Sequence, residues 1–242
     1  MVDQFAAATG FKMVELLQGL GLDCFYPPDL TDCGMVLYNQ GDRDGAKTLG
    51  ERMINQYEDC DCIVSCGSAA VAYMKVHFRH LFHNTTFHNN YRHFVDKLFD
   101  ISDFLVNVKH FSPKGVRFPH RVAFMDHCTT RRDYVCTAHP DRKGLVDEPR
   151  ELLRSVEGLE LVEMEQGDVC CGFGGLFANQ FAPVSDEMAR RKAENAIAAG
   201  AEYITSTEMS CLLHLQSYID KVGLALKCVH LVDIITGEDV KQ

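Results

Sequence analysis

The sequence predicts an α/β fold of two similar, pseudo-symmetric lobes, each a small, mostly parallel sheet flanked by helices. Two observations predict it. Short apolar runs typical of β-strands alternate with longer patterns typical of helices. The order of these patterns also occurs twice along the 242 residues, which indicates a duplicated unit.

The two copies of the repeat lie at residues 15–34 and 151–172. Each has a helical pattern with paired leucines, then Gly-Leu, a short extended segment and Cys-Gly. A second helical pattern and a β-type run follow each copy. We therefore expect lobes at residues 1–111 and 119–242, joined where Pro and Gly interrupt the pattern. The His- and Asn-rich stretch 77–93 is expected to be a solvated insertion between the last helix of the first lobe and the join.

The composition excludes several classes of protein. The formal net charge of −10 argues against nucleic acid or an anionic membrane as the main partner, because both require a basic face. No run of 18 apolar residues occurs, so no transmembrane segment is predicted. The first twenty residues have neither the basic start nor the continuous apolar centre of an export signal. A cytoplasmic location is therefore predicted.

Eleven cysteines are the most informative part of the composition. In a reducing compartment, cysteines indicate metal or redox chemistry more often than disulfides. A single cysteine is also commonly a small buried hydrophobic residue. We interpret Cys24, Cys60, Cys62, Cys136 and Cys228 in that way.

Four other cysteines form a predicted iron–sulfur site. Cys170 and Cys171 are adjacent and precede a glycine-rich run, and two adjacent thiolates can reach one cluster only if the chain turns sharply, as glycine allows. Cys128 and Cys211 each follow a predicted strand. Because ligands in parallel α/β sheets gather at the carboxyl ends of strands, we expect all four thiolates at one edge. Zinc, which also accepts four cysteines, and a metal-free site are the alternatives.

The sequence resembles the cysteine-rich CCG domain family over nearly its whole length. The stretches that carry the resemblance are Asp32-Cys33-Gly34, Asn39-Gln40-Gly41, Asp126-His127-Cys128, Asp147-Glu148-Pro149-Arg150, residues 158–163, residues 168–175, Ser210-Cys211-Leu212-Leu213 and His230-Leu231. Members of the family include lactate utilization protein A, the iron–sulfur subunit of glycolate oxidase and one of the subunits of heterodisulfide reductase, and the resemblance is greatest to the first. It implies an iron–sulfur protein that works beside other subunits of a lactate- or glycolate-oxidising complex. The substrate would be a 2-hydroxy acid such as L-lactate, and electrons would leave through the bound cluster.

Departures from the family pattern limit what the resemblance implies for each lobe. Glu208 stands where the heterodisulfide reductase member of the family would have the first cysteine of Cys-x-x-Cys. The implied cofactor is therefore one ordinary [4Fe-4S] cluster with four thiolates in the second lobe. The early Cys-x-x-Asp of the family would align its Asp with Asp3, so that its Cys would fall just before Met1.

The first lobe has lost most of the equivalent ligands. Asp32 replaces the first cysteine of the adjacent pair, and Ala69 or Ala70 occupies the closing position. Cys33 remains, with Cys66 about three residues early, and these two are weak candidates for metal ligands. Two soft ligands do not make a stable cluster site, so this lobe is predicted to be without a cluster.

Two further functions remain open at this point. The adjacent cysteine pair suits a thiol/disulfide redox protein resembling the heterodisulfide reductase member of the family, and the degenerate first lobe suits a non-catalytic zinc or scaffold protein. The sequence offers no Ser/His/Asp or paired-carboxylate pattern, so no catalytic residue is predicted.

Overall fold

The computed structural model describes residues 2–135, 147–167 and 169–237. Over these ranges the predicted α/β fold is confirmed, with parallel strands in two sheets and helices packed around them. Met1 and Cys136 lie outside the described residues.

The first half of the chain builds a two-stranded parallel sheet, in which Ile63 pairs with Leu98. Its strands are β1 (Ile63–Ser65) and β2 (Leu98–Asp100). Its helices are α1 (Val2–Phe5), α2 (Ala7–Gly19), α3 (Met35–Gln40), α4 (Arg43–Gln56), α5 (Ser68–Phe82), α6 (His88–Asp96) and α7 (Ile101–Asp103), the last continued by the π-helical segment Phe104–Val108.

Helices α5 and α6 form the crossover between β1 and β2. The expectation that residues 77–93 are a solvated insertion was therefore wrong. Phe78, Phe82, Tyr91 and Phe94 point into the core of this lobe, and their apolar spacing outweighs the polar composition between them.

The second half builds a four-stranded parallel sheet in the order β4-β3-β5-β6, in which Val122 of β3 pairs with Leu161 on one side and Tyr203 on the other. Its strands are β3 (Arg121–Phe124), β4 (Glu160–Val162), β5 (Tyr203–Ser206) and β6 (Lys227–His230). Its helices are α8 (Glu148–Arg154), α9 (Phe177–Gln180), α10 (Ala182–Ala198), α11 (Met209–Val222) and α12 (Leu231–Ile235), and the π-helical segment Thr130–Val135 follows β3.

The two lobes have matching backbone at the corner between a strand and the helix that follows it. The chain enters α5 through Gly67 and α11 through Glu208, and both residues have extended backbones. In the first lobe Ser65 Oγ accepts a hydrogen bond from Gly67 N at 3.0 Å, and in the second Ser206 Oγ accepts one from Glu208 N at 3.3 Å. Matched hydrogen bonds at matched corners support the pseudo-symmetry predicted from the repeat.

Among the described residues, one apolar core is shared by the two halves. Met13 and Leu17 of α2 pack in the same cluster as Val122 and Phe124 of β3 and Val229 of β6. The division into residues 1–111 and 119–242 stays a prediction, and the two units would be joined through this core. Within the described ranges, no helix combines the length and apolar character needed to cross a bilayer.

Candidate metal centre

The four cysteines predicted as ligands lie together in one connected group. The Cys128 thiol donates to Cys170 Sγ at 3.8 Å, and the Cys171 thiol donates to Cys211 Sγ at 2.9 Å. Cys170 and Cys171, adjacent in the chain, also interact through their side chains. Cys171 and Cys211 are buried, whereas Cys128 and Cys170 are half-buried. The group is therefore closed on one side and reachable from solvent on the other.

Three loops at the carboxyl edge of the second sheet bring these thiols together. Cys128 follows β3 after three residues, and Cys211 lies in the first turn of α11, directly after β5. The adjacent pair comes from the loop between β4 and α9. Because the strands are parallel, their carboxyl ends meet at this edge, which is the arrangement expected from the sequence.

A glycine is needed in the loop that carries the adjacent pair. Gly172 has a φ of +95°, and a Cβ there would lie 2.7 Å from the carbonyl oxygen of Ser185 on α10. The Ser185 hydroxyl donates to Gly172 O at 2.8 Å, and Gly172 N donates to Cys170 Sγ at 3.4 Å. Lys192, which is fully buried, donates through Nζ to Gly167 O of the same loop at 2.9 Å. The loop is thus attached to α10 by contacts that a larger residue at position 172 would disrupt.

Interactions between the thiols lower the pKa of two of the cysteines and raise the pKa of the other two. The hydrogen bond from Cys128 lowers the pKa of Cys170, and the same contact raises the pKa of Cys128. The hydrogen bond from Cys171 lowers the pKa of Cys211 in spite of burial, and contacts with Cys170 and Cys211 raise the pKa of Cys171. Two sulfurs therefore favour the thiolate form that a soft metal ion binds.

His127 adds an imidazole beside the thiols. Burial disfavours a charge on its ring, but the hydrogen bond with Cys211 and nearby negative groups outweigh burial and raise its pKa. Its Nδ1 is buried and, among the described residues, has no hydrogen-bond partner. Thr130 Oγ1, two residues beyond Cys128, is also buried and has no hydrogen-bond partner among the described residues. A buried polar atom without a partner, on a ring that contacts Cys211, fits a group that accepts hydrogen bonds, such as the sulfides of a cluster.

Arg150 connects the carboxyl ends of β3 and β4, and its contact after β3 lies two residues before Cys128. Its guanidinium binds both carboxylate oxygens of Asp126, at 2.9 and 2.8 Å, and Glu163 Oε1 at 3.0 Å. Arg150 is 5% exposed and lies over the Phe124 ring at 5.0 Å. In the sequence, Arg150 stood out only as part of the resemblance. The signal for its role was an acid just after each of two short apolar runs, Asp126 and Glu163, which one cation can pair when the runs lie side by side.

The weak candidates in the first lobe have thiols that favour the protonated form. Burial, with a contribution from Asp32, raises the pKa of Cys33 to about 12, and burial raises that of Cys66 to about 11. Asp32 Oδ1 accepts a hydrogen bond from Gly34 N at 2.7 Å, as Cys170 Sγ does from Gly172 N. Asp32 therefore replaces the first cysteine of the pair as a hydrogen-bond acceptor.

The rest of the first-lobe loop keeps the shape of its counterpart. Gly34 has a φ of +83°, and a Cβ there would lie 2.8 Å from Ala46 O on α4. Counting from the equivalent corners Gly67 and Glu208, Ala70 and not Ala69 occupies the position of Cys211. The structure thus repeats the backbone of the thiol-bearing loop in the first lobe without its set of thiols.

The residues of the second lobe fit an iron–sulfur cluster in their chemistry. They supply four soft donors, partnerless polar atoms and a glycine-rich loop. Four thiols also suit zinc. In the ranges that the structure describes, no group of three or more His, Cys, Asp or Glu side chains surrounds a metal-sized centre, and the four sulfurs instead contact one another.

Comparison with known proteins gives the family. The cysteine-rich CCG domain matches residues 122–216. Lactate utilization protein A of Macrococcus caseolyticus is 30% identical over 244 residues, covering 98% of this chain and 94% of the relative. That of Geobacillus thermodenitrificans is 28% identical over 236 residues, covering 97% and 95%. A solved aspartate racemase homologue from Pyrococcus horikoshii covers 94% of this chain and 88% of its own at 16% identity, but its TM-score of 0.30 is too low to indicate a shared fold. The chain belongs to the lactate utilization protein A family.

Proposed function

We propose that this chain is an iron–sulfur electron-transfer subunit in lactate utilization. It would bind one [4Fe-4S] cluster through four ligands, Cys128, Cys170, Cys171 and Cys211. It would accept electrons from the oxidation of a 2-hydroxy acid, for which we propose L-lactate. The observation that carries the proposal is the continuous contact of these four sulfurs, which come from three loops of one sheet edge. The names of the relatives support the metabolic role.

The residues around the thiols suit the one-electron transfer that a bound cluster would supply. Gly172 N and His127 donate hydrogen bonds to sulfur, which stabilises negative charge there. The burial of Cys171 and Cys211 excludes water from one side. The half-buried Cys128 and Cys170 face the side from which a partner can approach. We assign oxidation of the hydroxy acid to other subunits of a lactate- or glycolate-oxidising complex, and a cytoplasmic location is part of this proposal.

Anaerobic purification tests the cofactor. The chain should be brown and contain about four iron and four sulfide ions, as a [4Fe-4S] cluster requires. Cys171→Ser should lose most of the iron, while Cys228→Ser, which alters a partly buried cysteine outside the group, should retain it. A colourless, iron-free wild-type chain would refute the proposal. Zinc at one ion per chain would favour the zinc or scaffold alternative.

Growth experiments test the substrate. Deleting the gene in its own organism should abolish growth on L-lactate, and the wild-type gene should restore it while the Cys171→Ser variant should not. Unimpaired growth on L-lactate together with loss of growth on glycolate would replace lactate by glycolate in the proposal.

A thiol/disulfide function is the second candidate, favoured by the lowered pKa of the half-buried Cys170 beside Cys128. The Cys170 thiolate would attack a small disulfide, form a mixed disulfide and release one thiolate. The Cys128 thiolate would then release the second thiol and form a Cys128–Cys170 disulfide, so that two electrons pass to the substrate. The metal-free, reduced chain should then release two thiols per substrate disulfide, and Cys170→Ser should release none.

A further inference from the structure

Glu208 connects the two lobes at their equivalent corners. It follows β5 and precedes α11, and its backbone forms an isolated antiparallel bridge with Gly67, which stands between β1 and α5. Next to this bridge Ser68 N donates to Thr207 O at 3.3 Å. Glu208 is 6% exposed, so its carboxylate is enclosed where the lobes meet.

The Glu208 carboxylate accepts hydrogen bonds from the first turns of two helices. Oε1 accepts from Ser210 N at 3.3 Å and from the Ser210 hydroxyl at 2.6 Å, within α11. Oε2 accepts from Ala69 N of α5 at 2.9 Å. The corner residue of α5 is Gly67, which has no side chain to cap the helix. A single buried side chain therefore caps a helix in each lobe.

The position of this charge matters for the thiols. Cys211 lies in the same helical turn that Glu208 caps, and the carboxylate contributes to the electrostatic environment of Cys211, His127 and the first-lobe thiols Cys33 and Cys66. A negative charge near a redox centre makes the addition of an electron less favourable, and a buried one is poorly screened.

We propose that Glu208 is a positioning residue that fixes Cys211 against the first lobe and keeps the reduction potential of the metal centre low. Glu208 is in this view not a ligand, although it stands where related proteins have a cysteine. The inference rests on the proposed function, since it presumes a cluster at Cys211.

The test uses the full chain, purified anaerobically, with three variants. Glu208→Gln removes the charge at nearly constant shape. Glu208→Asp keeps the charge but is one methylene too short to reach both helices. Glu187→Gln is the matched control, because it removes an exposed carboxylate of α10 in the same lobe. Iron content, midpoint potential by dye-mediated titration and thermal unfolding followed by circular dichroism are measured for each.

We expect Glu208→Gln to retain the cluster and to have a more positive midpoint potential than the wild type. Glu208→Asp should keep the wild-type potential but unfold at a lower temperature, and Glu187→Gln should match the wild type in both. Equal potentials in Glu208→Gln and the wild type would overturn the electrostatic role. Loss of iron from Glu208→Gln but not from Glu208→Asp, with the fold intact, would show a carboxylate ligand and overturn the positioning role.

A wild-type chain without iron would instead refute the proposed function. In that case the thermal unfolding of Glu208→Asp against Glu187→Gln still decides whether Glu208 joins the lobes. If Glu208→Gln does not fold, Glu208→Asp still tests the role in joining the lobes, and an unfolding temperature equal to that of the wild type would contradict that role.

Discussion

Arg150 is a buried cation whose removal would leave the carboxylate of Asp126 buried without a charged partner. Breaking a buried ion pair by removing one partner is strongly destabilising, because the remaining charge stays desolvated. We expect Arg150→Ala to lower the free energy of unfolding by about 3–5 kcal/mol, measured by urea denaturation. Arg190→Ala, which removes an exposed ion-paired arginine of α10, is the control and should leave the urea midpoint unchanged. Equal midpoints for the two variants would contradict the structural role of Arg150.

Asp100 predicts how stability depends on pH. Burial raises its pKa from 3.8 to about 6, although it accepts hydrogen bonds from Ser102 N and the Ser102 hydroxyl. Because the folded state binds this proton more tightly than the unfolded state, the stabilisation is present below pH 4 and is lost as the pH rises to about 6. The difference between the two pKa values corresponds to a loss of about 3 kcal/mol in the free energy of unfolding.

The free energy of unfolding of the wild type should therefore fall between pH 4 and 6, whereas that of Asp100→Asn should not. The difference in free energy between the two proteins should grow over this range and stay constant above it. Urea titrations at several pH values measure this. Ser102→Ala removes a hydrogen bond that lowers the pKa, so it should extend the wild-type decline to higher pH. A difference between Asp100→Asn and the wild type that does not vary with pH would refute the assignment.

At the scale of residues, the sequence predicted which cysteines lie together better than it predicted the contacts that support them. The proximity of the four cysteines could be predicted because their residue type and strand-end positions are themselves the signal. Lys192 and Ser185 could not, because a lysine or serine in a helical pattern normally faces solvent. Only the folded chain shows that they donate hydrogen bonds to backbone carbonyls of the loop, Lys192 before the adjacent pair and Ser185 after it.

At the scale of elements, the strand–helix order of both lobes follows from apolar periodicity, whereas the role of α5 and α6 did not. The polar composition of residues 77–93 concealed the spacing of Phe78, Phe82, Tyr91 and Phe94. That β1 and β2 pair across this long crossover also depends on contacts distant in sequence, which no local pattern contains.

The two Cys-Gly loops allow a matched experiment on one backbone conformation. Alanine at Gly172 or Gly34 would adopt an unfavourable positive φ and meet a helix carbonyl at 2.7 or 2.8 Å. We expect each substitution to destabilise the fold by at least about 1–2 kcal/mol, the cost of a left-handed residue. Only Gly172→Ala should also reduce the iron content of the anaerobic protein. Equal iron loss in Gly34→Ala would show that the first-lobe loop contributes to the metal centre.

At the scale of the whole molecule, the shared core determines how the halves depend on each other. Residues 119–242 expressed alone would lose the residues that the first half contributes to this core and would expose part of its apolar surface, which includes Val122, Phe124 and Val229. We expect this fragment to aggregate or to elute as large particles in size-exclusion chromatography, because a large exposed apolar surface promotes association. Co-expression with residues 1–111 should restore a discrete complex. A monodisperse, protease-resistant fragment would contradict the importance of the shared core.

The duplicated Cys-Gly loop also has a consequence for how such proteins change over time. Gly34 keeps the same contact with its helix as Gly172, although Asp32 and Ala70 occupy the positions of Cys170 and Cys211. The loop shape therefore does not require thiols at those positions. Ligand sets in this architecture can be dismantled, or rebuilt, by single side-chain replacements on an unchanged main chain. The same loop conformation can therefore carry an adjacent cysteine pair in one lobe and an Asp-Cys sequence in the other.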